Sequence, residues 1–162
     1  MSAQVIINKW LNDTKKDLIA NYDRLGLRAS GDWANSLETF QSYKNGFIQA
    51  GILGNDYTEQ LENGRRPNKN SSEEEIRKWV GWAGNTFIKE WIDNKGLDLN
   101  PFAVSYKIAR EGWKVPNKYN AGGLVSDVVT DQRIDSLSKE LILHFVGEIR
   151  SDVLKKFKDG NN

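Results

Sequence analysis

His144 is the only histidine in a chain of 162 residues that has no cysteine. A metal site built on several imidazoles is therefore excluded by count, as are a thiol nucleophile and a thiolate site. His144 lies one residue before an apolar stripe position and reads as a structural or surface histidine. Ser30 and Ser36 have no partner base that the sequence identifies, so serine nucleophile chemistry is unsupported. The acidic run Glu73-Glu74-Glu75 follows Ser72 and reads as a helix start rather than a metal site. Neither GxxxxGK[ST] nor GxGxxG occurs, and Gly122-Gly123 precedes no phosphate-binding pattern. One feature with chemical potential remains, the arginine pair Arg65-Arg66 in DYTEQLENGRRP. It is either a solvated loop or a contact loop, whose guanidinium forks would meet a partner's carboxylates or phosphates. Lys and Arg total 23 against 22 Asp and Glu. That balance favours a protein partner over nucleic acid, whose ligands usually show a basic excess. Among six tryptophans, Trp79 and Trp91 fall on a helical stripe, whereas Trp33, Trp82 and Trp113 fit no single buried face. Aromatics beside arginines are characteristic of interfaces, and Trp33, Trp82 and Trp113 join Arg65 and Arg66 as candidate contacts. The other reading is that these tryptophans cover a thin, wide core.

The elements that would position these groups can be read from periodicity and caps. Ile6, Trp10, Leu18, Tyr22 and Leu25 recur at helical spacing over residues 3–25, and Gly26 sits where a left-handed cap would close that helix. SLETFQSYK and GFIQAGIL predict two strands joined at Asn45-Gly46, a hairpin signal because both residues tolerate positive φ. Residues 56–62 predict a short helix ending at Asn63-Gly64, followed by a loop over 65–70 that contains Pro67. Ser72 and Glu75 form a capping-box pattern opening a helix that runs to Lys95-Gly96, with Ile76, Trp79, Val80, Ala83, Phe87 and Trp91 on one face. Gly81 and Gly84 inside it each cost about 1 kcal/mol relative to alanine and predict a close backbone approach or a kink. Asn100-Pro101 opens another helix that stops at Gly112. WKVPNKYNAGG is irregular, and LVSDVV has strand-like β-branched content. A last long helix starts at Thr130 or Asp131, with Ile134, Leu137, Leu141, Phe145, Ile149, Val153 and Phe157 as its stripe.

The expected architecture is one α+β domain over 1–162, with long N-terminal, central and C-terminal helices packed on a small antiparallel sheet and a frayed tail at 159–162. Hydrophobic residues make up 38% of the chain, enough for a packed core and too many for a disordered chain. No stretch approaches the roughly 20 apolar residues of a membrane span. MSAQVIINKWLNDTKK lacks a signal-peptide layout. With no cysteine, the chain reads as made and kept in a cytosol, or assembled there.

The order of features in the first half resembles the head–tail connector proteins of tailed phages, the tail-completion or neck proteins. That family typically shows a TG-x-L-x-x-S-like segment after an N-terminal helix, then a strand, then a Y-A-x-x-x-E-x-G-T-x-x-x-P motif. Ser30-Gly31, Trp33 and Ser36 stand at the first motif, and Tyr57, Glu62, Gly64, Arg65 and Pro67 at the second. NPFAVSYKIAREGW followed by YNAGG resembles a short helix and loop of the same relatives. Thr58, Arg66 and Trp33 depart from the usual residues at their positions. The resemblance implies a non-enzymatic virion component without cofactor or metal, assembled in the host cytoplasm. It would form a homo-oligomeric ring between portal or adaptor and tail proteins, close to the genomic DNA and away from membranes. A tail terminator or another ring protein of the tail is the alternative. A nucleic-acid-binding adaptor using Arg65, Arg66, Arg110, Lys114 and Lys118 is the less favoured reading.

Overall fold

The computed structural model describes residues 2–159. The order of elements is α1 (Ala3–Arg24), α2 (Asp32–Ser36), β1 (Glu38–Lys44), β2 (Phe47–Leu53), α3 (Thr58–Asn63), β3 (Gly64–Arg65), α4 (Glu73–Asn85), α5 (Phe87–Lys95), α6 (Pro101–Glu111), β4 (Trp113–Lys114) and α7 (Asp131–Asp159). The fold is α+β, mostly helical, with two small antiparallel sheets, β1-β2 and β3-β4. The described residues form two compact units. One comprises the described parts of Met1–Leu18, Glu38–Leu53 and Val125–Asn162, and the other Ile19–Leu37 and Gly54–Leu124. The division falls within α1.

In the first unit, the hairpin runs in register from Glu38↔Leu53 to Lys44↔Phe47. Asn45 (φ 53°) and Gly46 (φ 80°) make its two-residue loop. Two consecutive positive φ values match the right-handed twist of the flanking strands, which is why an Asn-Gly pair sets this register. On α1, Ile6, Ile7, Leu11 and Leu18 are buried, and so is the hydroxyl-bearing Thr14. Arg133 near the start of α7 satisfies Thr14, donating from Nε to Oγ1 at 2.9 Å, and reaches Asp17 Oδ2 at 2.7 Å. The Trp10 indole donates to the Arg133 carbonyl at 3.2 Å. These bonds fix the first turn of α7, yet none of the residues of α7 is buried. The tail expected at 159–162 lies outside the described residues except for Asp159, which ends α7.

LVSDVV does not form a strand. Val128 and Val129 donate backbone N–H to the Val125 carbonyl at 3.0 and 2.8 Å, which makes a turn. A two-state choice between turn and strand was decided by partners: β-branched content favours a strand only where another strand offers a ladder.

In the second unit, Ala83, Ile88, Ile92 and Ile108 form a buried cluster, with Trp79, Trp91, Leu97, Val104 and Trp113 packed against it. Each buried isoleucine contributes about 1.5–3 kcal/mol relative to exposure. The helix expected over 72–95 is divided at Thr86 (φ −122°, ψ −112°). Asn85 Nδ2 bonds the Gly81 carbonyl at 2.7 Å, and Thr86 Oγ1 bonds that of Trp82 at 2.8 Å. Side chains thus take the carbonyls that a continuing helix would have used. Of the two internal glycines, Gly84 has the packing reason, since a Cβ there would lie 2.6 Å from the Phe102 ring of α6, while Gly81 faces nothing within 4 Å. Asn100 caps α6 by accepting from Phe102 N at 2.9 Å and Ala103 N at 3.1 Å.

The α4 capping box is complete: Ser72 Oγ accepts from Glu75 N, and the Glu75 carboxylate accepts from Ser72 N at 2.7 Å. That backbone hydrogen bond holds the Glu75 carboxyl below its ordinary range. A depressed carboxyl pKa stabilises the fold above the unfolded group's pKa, and the contribution is lost as pH falls through the folded value. Ser72→Ala is expected to cost about 1 kcal/mol in urea unfolding. Glu75→Gln should flatten the acid limb of the stability–pH curve, leaving its neutral limb nearly parallel to that of the parent.

Candidate interaction site

The arginine loop is built by a close backbone pairing in the second unit. Gly64 pairs with Lys114 and Arg65 with Trp113. Gly64 (φ 83°) and Gly112 (φ 80°) hold this pairing. A Cβ on Gly64 would run into the Trp113 carbonyl, and one on Gly112 into the Arg65 carbonyl. Both positions therefore demand glycine twice, for conformation and for space. Asn68 N donates to the Ala109 carbonyl at 2.8 Å and ties the chain after Pro67 to α6.

The arginines separate. Arg65 was expected to point away from the core with Arg66, but its guanidinium lies 4.2 Å from the centroid of the Trp79 ring. Its Nη2 donates to Asn68 Oδ1 at 2.7 Å, and its Nη1 is buried without a hydrogen-bond partner among the described residues. Burial lowers its pKa, and the face of the indole supplies the compensating attraction. Arg66 is exposed. It borders a groove of about 780 Å³ whose lining includes Glu59, Gln60, Glu111, Trp113 and Lys114. The groove mixes both signs of charge.

Two further segments close on the same place. Asn120, buried, donates from Nδ2 to the Leu61 carbonyl at 2.6 Å and accepts from Gly122 N at 2.9 Å. Trp91, Trp113 and Tyr119 form an aromatic cluster with ring centroids 5.4–6.2 Å apart. Such pairs contribute about 0.5–1.5 kcal/mol beyond their buried area. YTEQLENGRRP, KIAREGW and YNAGG, widely separated in sequence, are therefore one structural joint. Leu124, following Gly122-Gly123, is fully buried, and Asn21 Nδ2 donates to the Gly123 and Leu124 carbonyls at 2.8 and 2.9 Å.

Trp33, a candidate contact, is instead a core residue, 1% exposed. Its Nε1 donates to Thr58 Oγ1 at 2.9 Å, and its ring lies 4.8 Å from that of Tyr22. Ser36 Oγ donates to the Trp33 carbonyl and accepts from Asn55 N, so the DWANS turn is bolted to the start of α3. Trp113 is half-buried in the aromatic cluster. Trp82 is exposed and packs on Phe87 at 5.3 Å. Arg66 and Trp82 are thus the candidate contacts left at the surface.

Of the proposed basic set, Arg66 and Lys114 are exposed and line the same groove, while the other three have partners within the chain. Arg65 is stacked on Trp79, Arg110 pairs with Glu73 and Lys118 sits over Tyr119 at 4.6 Å. The acidic run is likewise engaged: Glu73 by Arg110, Glu74 by Lys78 at 2.7 Å and Glu75 by the cap. His144 Nε2 lies 3.3 Å from Glu148 Oε1. Among the described residues, no group of three or more His, Cys, Asp or Glu side chains could hold a metal ion. No helix among the described residues is long and apolar enough to cross a membrane. No protein-family profile, curated protein or solved structure matches the chain.

Sequence reasoning missed the joint's polar holders, Thr58, Asn68 and Asn120. Asn120 carried a weak signal, an asparagine beside paired glycines in an otherwise irregular stretch; Thr58 and Asn68 carried none. Arg65→Glu should cost about 2 kcal/mol or more, because a carboxylate would replace a cation over the negative face of an indole. Arg66→Glu should stay within about 0.5 kcal/mol of the parent. Thermal unfolding followed by tryptophan fluorescence separates the two. Gly64→Ala should lose on the order of 3 kcal/mol from strain and clash together.

Proposed function

We propose that the chain is a non-enzymatic structural subunit of a phage head–tail connector, a tail-completion or neck protein acting in a ring between portal and tail. The observation that carries this reading is the joint itself. Ser36 and Trp33 of the first motif bond Asn55 and Thr58, which flank Tyr57 of the second. Gly64 and Arg65 of the second motif pair with the segment that follows IAREG, and YNAGG closes on Leu61. The residues on which the resemblance rests thus support one another in three dimensions, as expected of a shared scaffold motif rather than of scattered coincidences.

The chemistry agrees. The groove beside Arg66 offers mixed charges without a nucleophile–base pair, which suits polar contacts between subunits better than bond-breaking. The engagement of Arg65, Arg110 and Lys118 by partners within the chain weighs against a nucleic-acid adaptor, whose affinity comes from cations free to displace counterions. A ring needs a heterologous contact, in which two different surfaces of the subunit meet. Arg66 and the exposed Trp82 are the side chains assigned to it.

Purified protein should form ring-shaped particles by negative-stain electron microscopy. Arg66→Glu combined with Trp82→Ala should abolish the rings while the circular-dichroism spectrum and unfolding midpoint stay near those of the parent. Rings that survive this double change would remove these residues from the contact, and a protein that forms no ring alone or with portal and tail partners would remove the reading.

A further inference from the structure

We propose that two copies of this chain associate through α7, packed antiparallel about a twofold axis at Phe145 and Val146. Along α7 the side chains of Ile142, Phe145, Val146, Ile149, Val153 and Phe157 follow one another at helical spacing and share a face. They are between 45% and 71% exposed, and among the described residues no residue of α7 is buried. Leaving such a face in water is costly, and single exposed apolar residues do not explain it.

The occupant is indicated by the pattern around the midpoint. Pairing each residue with the one equidistant from the Phe145–Val146 centre sets Ile142 against Ile149, Ser138 against Val153 and Ile134 against Phe157. The same operation sets Lys139 against Asp152 and Asp135 against Lys156. Lys139 and Asp135 thus each meet an opposite charge, Arg133 falls against Lys158, and every twofold-related pair occurs twice. None of Lys139, Asp152, Asp135 and Lys156 has an ion-pair partner in its own chain among the described residues. A parallel pairing in register would set each of these charges against its like. An antiparallel arrangement also places each helix's positive end beside the other's negative end. A helix of 29 residues is about 43 Å long. Two such helices at about 8–10 Å separation can bury area on the order of the 800 Å² per partner found in standard interfaces.

This contact is isologous and closes at two copies, so it is distinct from the heterologous contact a ring requires, and it does not rest on the connector reading. A dimer whose α7 charges behave as described, without rings, would sink only the connector reading. Rings indifferent to those charges would sink only the α7 pair.

Sedimentation equilibrium of the full chain should show a monomer–dimer equilibrium. Lys139→Asp alone and Asp152→Lys alone should each weaken it about tenfold, since each puts like charges together twice. Mixing the two variants should restore parental affinity, because both pairs become opposite again in the heterodimer. Ile142→Cys mixed with Ile149→Cys should form an interchain disulfide, in a chain that has no cysteine of its own, while neither variant alone should cross-link efficiently. A chain monomeric at every concentration, an affinity blind to either substitution, no rescue on mixing, or self-cross-linking of Ile142→Cys would each overturn the proposal. So would Val146→Glu leaving the dimer intact with its helix content unchanged.

Discussion

The second unit depends on two backbones passing closer than any side chain allows. Where Gly64-Arg65 runs beside Gly112-Trp113, a methyl group at either glycine would overlap a carbonyl oxygen of the other segment. This approach brings Arg65 over Trp79, sets Trp113 against Trp91 and Tyr119, and leaves Arg66 at the rim of the groove. A ladder of two residues is too short to be stable by its own hydrogen bonds. Packing of α4, α5 and α6 beneath it and the asparagine side chains around it supply the rest. The two arginines consequently have different physical lives. One is a stacked, partly desolvated cation that belongs to the packing, and its neighbour is a solvated charge available to a partner.

What was legible in the sequence was what a few neighbouring residues settle among themselves. Asn45-Gly46 sets the hairpin because both residues accept positive φ. Ser72 with Glu75, and Asn100 before Pro101, open their helices through hydrogen bonds spanning two or three residues. Gly26 and Gly96 end helices in the left-handed region, as their lack of Cβ permits. The features that were not legible all depend on remote partners. Arg65 is held by Trp79 and Asn68, Trp33 by Thr58 and Tyr22, and β3 by β4. Nothing in RRP distinguishes the first arginine from the second, because they differ only in what the fold places above them. LVSDVV misled because β-branched content states a preference that only a neighbouring strand can satisfy, and the local turn at Val125 took its amides instead. Thr86 divides a helix whose apolar spacing is continuous across it, since the competing hydrogen bonds come from Asn85 and Thr86 themselves.

Several of the chain's less common residues are engaged in contacts within the fold. Glu75 serves as a cap and Glu73 as the ion-pair partner of Arg110, the one histidine sits beside Glu148 on α7, and Lys118 lies over the Tyr119 ring. The first unit carries the complementary feature, a long helix most of whose apolar residues are exposed although its first turn is firmly bonded to α1. Both proposals take the chain to be a subunit whose free energy is completed by association. That is the physical content of the connector reading.

The most direct measurement is made on particles. On the connector reading, deletion of the chain's gene from a phage genome that carries it should leave DNA-filled heads and complete tails that fail to join, and supplying the protein in trans should restore joined, infectious particles. Infectious particles with normal necks in the absence of the chain would contradict the account.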